Sequence, residues 1–256
     1  MKQTLTFIGN GNMAKAMIQG LVGKYESEVL GRNEKALHAL ESEIQQIRTS
    51  LLSTTNDITN KNIILCVKPN SLDDLAPKLS GCANSLYSVL AGTKLETLKE
   101  KIKATAYIRT MPNVAASYQK SMTTLTGDEA LKESALEIFG NIGETLWLKT
   151  EKEIDIATAV AGSGPAFLAL IAESLSDGGV NAGLTRADAN TLVKGLFAGF
   201  APMLTNAKPS EIKDSVMSPG GTTAAGYASM EKNGVRNGMI EAIKSAYDKA
   251  CQLGKK

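Results

Sequence analysis

The sequence is short of the residues that most often carry metal or redox chemistry. Among 256 residues there is one histidine, His38, and three cysteines, Cys66, Cys82 and Cys251, widely spaced and with no C-x-x-C pair. No metal-ligand set can be written from so few donors, so no metal is expected. An odd, scattered set of thiols also argues against a disulfide scaffold and for a reducing compartment. Aromatic residues make up only 5%, too few for a base-stacking platform, and a formal net charge of +2 is too small to grip a phosphate backbone or an anionic bilayer. Neither nucleic acid nor a membrane is therefore an expected partner. No apolar run approaches a membrane span, and the stretch from Met1 to Gly9 is too short and too early interrupted for a secretion signal. The expected location is the cytoplasm.

What is present is ordinary in amount and informative in order. Hydrophobic residues are 43% and charged residues 21%, and the length suits one large domain or two modest ones. The first part alternates short apolar runs with helical spacing. Leu5-Thr6-Phe7-Ile8, Val29-Leu30, Ile63 to Val67, Ser88-Val89-Leu90 and Tyr107-Ile108 read as strands. Met13, Ala16, Met17, Gly20 and Leu21 fall at the spacing of a helix face, and Ser71 to Leu79 and Leu95 to Ile102 read as further helices. Strands apolar on both faces and alternating with helices predict a parallel sheet covered on each side. Residues 1–150 form this first domain. After Thr145 to Leu148 no convincing strand remains, and residues 151–256 read as helical. Gly164-Pro165 places proline where a first turn tolerates it, Thr185-Arg186-Ala187-Asp188 resembles a capping box, and Asn233-Gly234 stops one helix before a last one over Val235 to Leu253.

Gly9-Asn10-Gly11-Asn12-Met13-Ala14 is a G-x-G-x-x-A motif between the first strand and the first helix. Gly9 permits the tight turn, Gly11 admits a diphosphate to the backbone, Ala14 lets helix and sheet pack closely, and the helix start offers free N–H donors. A second strand ends about twenty residues on, as a dinucleotide fold requires. An NAD enzyme would carry a carboxylate there; this chain has Arg32 and Asn33, with Lys35 close by. Arg32 is placed to pair with an adenosine 2′-phosphate, so NADPH is the expected cofactor, with NADH left open as a second donor. Val67-Lys68-Pro69 and Ala91-Gly92 end later strands and should border the cofactor, although such positions also suit ordinary strand-to-helix turns.

Two further segments stand out. Ala161 to Phe167 is a glycine-rich helix start. Met217 to Gly226 is another, in which Gly220-Gly221-Thr222-Thr223 offers N–H groups and hydroxyls suited to a small carboxylate. The same pattern also serves as a capped interdomain turn. Together with Phe7 to Ala14, Val67-Lys68-Pro69, Arg109-Thr110-Met111-Pro112-Asn113, Gly162 to Phe167 and Ser218 to Thr223, these segments make the chain resemble the pyrroline-5-carboxylate reductases over nearly its whole length. The resemblance implies an α/β Rossmann-type doubly wound sheet followed by an all-α C-terminal dimerisation domain. It implies reduction of 1-pyrroline-5-carboxylate to L-proline, and a homodimer or larger homo-oligomer. Carried over by motif, Gly9 to Ala14, Arg32, Val67 to Pro69, Ala91 and Gly92 border the cofactor. Asn113 lies in the cleft. Ser218, Gly221, Thr222 and Thr223 hold substrate, with Thr223 nearest the imine nitrogen as the catalytic residue. Tyr227 stands where that family has an aliphatic residue, and Cys66 where a small one is common.

The scarcity of acids and bases fits this chemistry. Reducing a ketone needs a proton donor at oxygen. A cyclic imine can arrive protonated at nitrogen, so alignment and carboxylate binding suffice. A β-hydroxyacid dehydrogenase, the rival enzyme, places a lysine soon after its glycine turn; here Gly162-Ser163-Gly164-Pro165 is followed by no lysine until Lys194. A non-catalytic NADPH-binding regulator is the other rival, against which the Ser218 to Thr223 segment argues.

Overall fold

The computed structural model describes residues 2–254. It divides into two compact units, Met1–Ser163 with Ala246–Lys256 and, separately, Gly164–Ser245. Among the described residues the first unit contains ten strands: β1 (Thr4–Ile8), β2 (Glu26–Gly31), β3 (Ile47–Leu51), β4 (Asn56–Asp57), β5 (Asn62–Leu65), β6 (Leu79–Ser80), β7 (Ser85–Ser88), β8 (Tyr107–Met111), β9 (Ser121–Gly127) and β10 (Gly143–Trp147). Its helices are α1 (Asn12–Leu21), α2 (Glu34–Glu43), α3 (Leu72–Leu75), α4 (Leu95–Lys101), α5 (Lys132–Gly140) and α6 (Glu151–Ala157).

Eight strands form one sheet in the order β10-β9-β8-β7-β5-β1-β2-β3, with β4 and β6 making a separate two-stranded ladder. The six strands from β8 to β3 are parallel, as expected, but β9 pairs antiparallel with β8. Only residues 112–120 join β8 to β9, fewer than a parallel crossover needs, so the chain must double back. The link from β9 to β10 carries α5, and that pair is parallel again.

Alternation along the strands sends side chains to two cores. Phe7, Val29, Ile64 and Ile108 pack with Met17, Leu37 and Phe139 of α1, α2 and α5. Ile8, Leu30, Ile63 and Leu65 pack on the other face with Leu72 and Leu98 of α3 and α4. The predicted helix over Ser71 to Leu79 is broken: a 3₁₀ turn at Pro69–Ser71, the short α3, a second 3₁₀ turn at Ala76–Lys78, and Leu79 already in β6. Pro77 near the start of the second turn cannot continue the α-helical ladder. The strand predicted at Ser88 to Leu90 lies earlier, at Ser85–Ser88.

The second unit holds α7 (Gly164–Asn181), α8 (Arg186–Asn206), α9 (Pro209–Ser215), α10 (Thr222–Lys232) and most of α11 (Val235–Leu253). Thr185 caps α8, its hydroxyl accepting from the Asp188 N–H at 3.1 Å. Asn233 caps the end of α10, and Gly234 takes φ +71° before α11. Within α7 to α10, Ser176, Ala189 and Ile212 are the buried residues, while Leu168, Leu192 and Leu196 lie open. One sequence expectation fails here. The continuous helical run Glu151–Asn181, 31 residues with a window of mean hydropathy 1.6, is long and apolar enough by length and composition to cross a membrane. Its alanines and branched aliphatic residues raise the average, while Gly162, Ser163 and Gly164 interrupt the run.

Candidate active site

The carboxyl ends of β1, β2 and β5 meet at one edge. The Gly9 N–H donates to the Leu30 carbonyl at 2.8 Å, and the Cys66 N–H to the Ile8 carbonyl at 2.8 Å. Gly9 has φ +109°, and a Cβ there would lie 2.7 Å from the Cys66 carbonyl oxygen, so only glycine fits. A Cβ on Gly11 would meet nothing within 4 Å, so the backbone is open on its outer side. Gly11 is also the N-cap of α1 with no capping side chain, leaving the first N–H groups of the helix available to an anion.

These features border a cavity of about 350 Å³ lined by Gly9, Asn10, Gly11, Arg32, Asn33, Val67 and Lys68, with Leu52, Cys66, Ser71, Asp74 and Lys78 among the others. Three of its four charged side chains, Arg32, Lys68 and Lys78, are basic, which suits a phosphate-bearing ligand. Arg32 Nη2 donates to Ser71 Oγ at 3.4 Å, and both residues line the cavity. The residues therefore fit NADP: an open glycine cradle for the diphosphate, and a guanidinium with a hydroxyl beside it. Asn33 serves twice, since its Oδ1 also accepts from the Ala36 N–H at 3.0 Å and caps α2.

The other expected residues are placed differently. Ala14 is fully buried between helix and sheet, as a close helix–strand approach requires. Asn12 and Met13 lie at the start of α1, bordering a separate hollow with Val114 and Ser117. Pro69 opens a 3₁₀ turn. Ala91 and Gly92 follow β7 and lie outside the 350 Å³ cavity; a Cβ on Gly92, which has φ +71°, would lie 2.8 Å from Leu253 Cβ. Asn113 is held on both ends: its Oδ1 accepts from the Ala115 N–H at 3.1 Å, and its Nδ2 donates to the Ala161 carbonyl at 3.0 Å. Ala161 sits in a π turn, Thr158–Gly162, between α6 and α7. Such single turns often mark functional sites.

In the second unit, Gly221 is the N-cap of α10 and its N–H donates to the Ser218 carbonyl at 3.0 Å. No side chain caps this helix, so Thr222 and Thr223 begin it with their N–H groups uncapped. This is a helix start of eleven residues able to receive a carboxylate.

Titratable groups near the sheet are structural. Burial alone would raise the Glu28 carboxyl, but hydrogen bonds from Lys61 and Thr6 outweigh it and hold it below its ordinary range. Desolvation pushes the Cys66 thiol up, so it stays neutral. His38 is on the exposed side of α2, 3.9 Å from Glu34 and 3.7 Å from Glu41. Sequence reasoning missed Ser71, Asp74, Lys78 and Leu52 around the cavity. It quoted Arg109 only as part of a motif, although Arg109 is buried and paired to Glu151 and Asp155.

Comparison with known proteins agrees with this architecture. A family model described as pyrroline-5-carboxylate reductase dimerisation matches residues 151–253, and one described as NADP oxidoreductase coenzyme F420-dependent matches residues 4–92. The pyrroline-5-carboxylate reductase of Synechocystis is 36% identical, with 100% of both chains covered. The solved structure of the Coxiella burnetii pyrroline-5-carboxylate reductase superposes with a TM-score of 0.87 at 28% identity over 100% of both chains. The Plasmodium falciparum pyrroline carboxylate reductase, solved with NADP bound, gives 0.81 at 26% identity over 98% of each. With full-length identity of this order, a glycine cradle on a Rossmann sheet and a helical region matching the dimerisation model, the chain belongs to the pyrroline-5-carboxylate reductase family.

Proposed function

We propose that this protein reduces 1-pyrroline-5-carboxylate to L-proline, the last step of proline synthesis, using NADPH as reductant. The observation that carries the reading is the basic cavity around Gly9, Gly11 and Arg32 in a chain whose helical region also holds an uncapped Gly-Gly-Thr-Thr helix start. When bound, the cofactor supplies the hydride. Residues 1–150 hold it: Gly9, Asn10, Gly11 and the α1 start at Asn12 and Met13 border the diphosphate, with Ala14 packed beneath them, Arg32 and Asn33 border the adenosine end, and Val67, Lys68, Pro69, Ala91 and Gly92 border the rest. Residues 151–256 bind substrate and form the homo-oligomer. The Ser218–Thr223 segment grips the carboxylate, and the Thr223 hydroxyl orients the ring nitrogen and can pass it a proton. Asn113 shapes the cleft.

No acid or base near neutral pKa is required, because a protonated imine accepts hydride without a further proton at the reacting carbon. A dehydrogenase reading needs a general acid that this chain does not place after Gly162-Ser163-Gly164-Pro165. The apolar run Glu151–Asn181 lies wholly within the region matched by the dimerisation model, so a second protein chain rather than lipid is its proposed cover, and the protein is cytoplasmic. The test is the fall in NADPH absorbance with 1-pyrroline-5-carboxylate against a 2-hydroxyacid panel run in reverse with NADP. Folded protein that binds NADPH but consumes none with the imine would favour a regulator.

A further inference from the structure

Among the described residues Arg109 is the largest fully buried side chain, with 1% of its surface exposed. It lies in β8 between Ser88 of β7 and Thr126 of β9. Its Nη2 donates to Asp155 Oδ1 at 2.5 Å, and its Nη1 to Glu151 Oε1 at 3.4 Å. Its Nε has no partner among the described residues. A charged side chain buried with an unpaired N–H is costly, and a well-packed apolar residue often serves stability as well. Stability alone is therefore a poor account of it.

Its two carboxylates lead to two parts of the site. Glu151 Oε1 also accepts the Leu95 N–H at 2.9 Å, fixing the start of α4 and the turn from Ala91 to Lys94 that precedes it. The same turn is held from another direction, since Gly92 has no room for a side chain against Leu253 and Gly254 at the end of α11. Asp155 lies on α6, which runs directly into the π turn whose Ala161 carbonyl receives Asn113 Nδ2. One guanidinium thus fixes the turn after β7 and the helix that orients Asn113.

We propose that Arg109 is a positioning residue for the reductase reaction, acting through Glu151 on the Ala91–Lys94 turn and through Asp155 on the Asn113–Ala161 contact. This rests on the assignment of Ala91, Gly92 and Asn113 to the active site. It follows that loosening the network should slow turnover more than it weakens binding, because alignment is lost while the ligand contacts remain.

The test uses the full-length protein with Glu151→Ala, Glu151→Gln and Arg109→Met. Glu151→Ala deletes the acceptor of the Leu95 N–H, whereas Glu151→Gln keeps a carbonyl oxygen there. Hydrogen exchange of the 91–95 amides without ligand and steady-state kinetics per folded protein are both read. The expected result for Glu151→Ala is exchange faster by about tenfold, turnover lower by roughly tenfold or more, and KM for NADPH and imine changed less than about threefold. Glu151→Gln should recover most of both. Arg109→Met should match or exceed Glu151→Ala; if it does not fold, the Glu151 pair decides alone. Unchanged exchange, or a lower melting temperature with turnover per folded molecule intact, overturns the proposal and leaves a structural strut. If the wild-type protein does not consume NADPH with the imine, the functional reading fails, and that is seen before any variant is compared.

Discussion

Phe7, Ile64 and Phe139 of the first unit have no exposed surface, whereas Leu168, Leu192 and Ile240 of the second expose 54%, 61% and 58% of theirs. Both units are made of regular elements with similar residues, so composition does not explain the contrast. A sheet with helices on both faces closes its own cores. Helices whose apolar residues point outward leave a surface far beyond the scattered exposure normal for a monomer. The first unit is thus complete in a single chain, and the second requires another surface, which agrees with the dimerisation model over residues 151–253.

The largest expected effect breaks that contrast at its source. Leu168→Glu with Leu192→Glu would bury two unpaired charges in any assembly that covers α7 and α8, a cost of several kcal/mol. Light scattering should show dissociation and the assay should show activity lost with it. Leu146→Glu, on edge strand β10 of the first unit, should leave the assembly intact although Leu146 is also 47% exposed. An unchanged mass for the double variant would mean that these leucines are not the covered face.

Next in size is the core itself. Phe139 packs with its ring centroid 6.0 Å from that of Tyr87, on the α5 side of the sheet. Phe139→Ala should cost about 3–5 kcal/mol in denaturant unfolding, as truncation of a buried aromatic does. Leu196→Ala, exposed in α8, should act only through assembly, so its effect should vanish when dissociated chains are compared. A Leu196→Ala loss independent of protein concentration would show that the helical unit has more internal packing than its exposure indicates.

Smaller effects separate the two units by function. Arg32→Ala removes the guanidinium proposed to face the 2′-phosphate and should raise KM for NADPH roughly 10–100-fold while leaving NADH use nearly unchanged, as loss of one or two charge-assisted hydrogen bonds implies. Thr223→Ala should lower turnover about tenfold and leave NADPH titration intact. Loss of both properties in either variant would contradict the proposed division of labour between the unit that holds Arg32 and the unit that holds Thr223.

Much of this was legible from local pattern. The glycine motif stands between β1 and α1 because its spacing follows from backbone geometry, and Arg32 falls at the end of β2 for the same reason. β9 was not legible. Its buried residues include Ser121, Thr123, Thr124 and Thr126; the Ser121 and Thr123 hydroxyls pair at 3.0 Å and Thr126 Oγ1 donates to the Leu148 carbonyl at 2.9 Å, while Thr124 Oγ1 has no partner among the described residues. An apolar-run rule passes over such a strand. β3 escaped for the opposite reason, since it lies at the sheet edge with Arg48 and Ser50 among its residues. The pairing of Arg109 with Glu151 and Asp155 joins residues more than forty positions apart, so no spacing rule reaches it.

The smallest effect places the two units at opposite ends of the pH scale. In the second unit, hydrogen bonds from Arg236 and then Tyr227 pull the Glu231 carboxyl down to about 2. A depressed carboxyl contributes stability that is present above its ordinary value near 4.5 and is lost as pH falls through about 2. In the first unit, burial and then Glu137 push the Tyr25 hydroxyl up to about 12. A raised phenol contributes stability that is present below its ordinary value of 10.0 and is lost as pH rises through about 12. The comparison of wild type with Glu231→Gln should therefore give a stability difference that is flat near neutrality and shrinks only below pH 4.5. That of wild type with Tyr25→Phe should change only above pH 10. Because Glu231 and Arg236 are exposed, solvent screening keeps the Glu231 change small. A Glu231→Gln difference that persisted to pH 2 would mean that shape, not charge, joins α10 to α11.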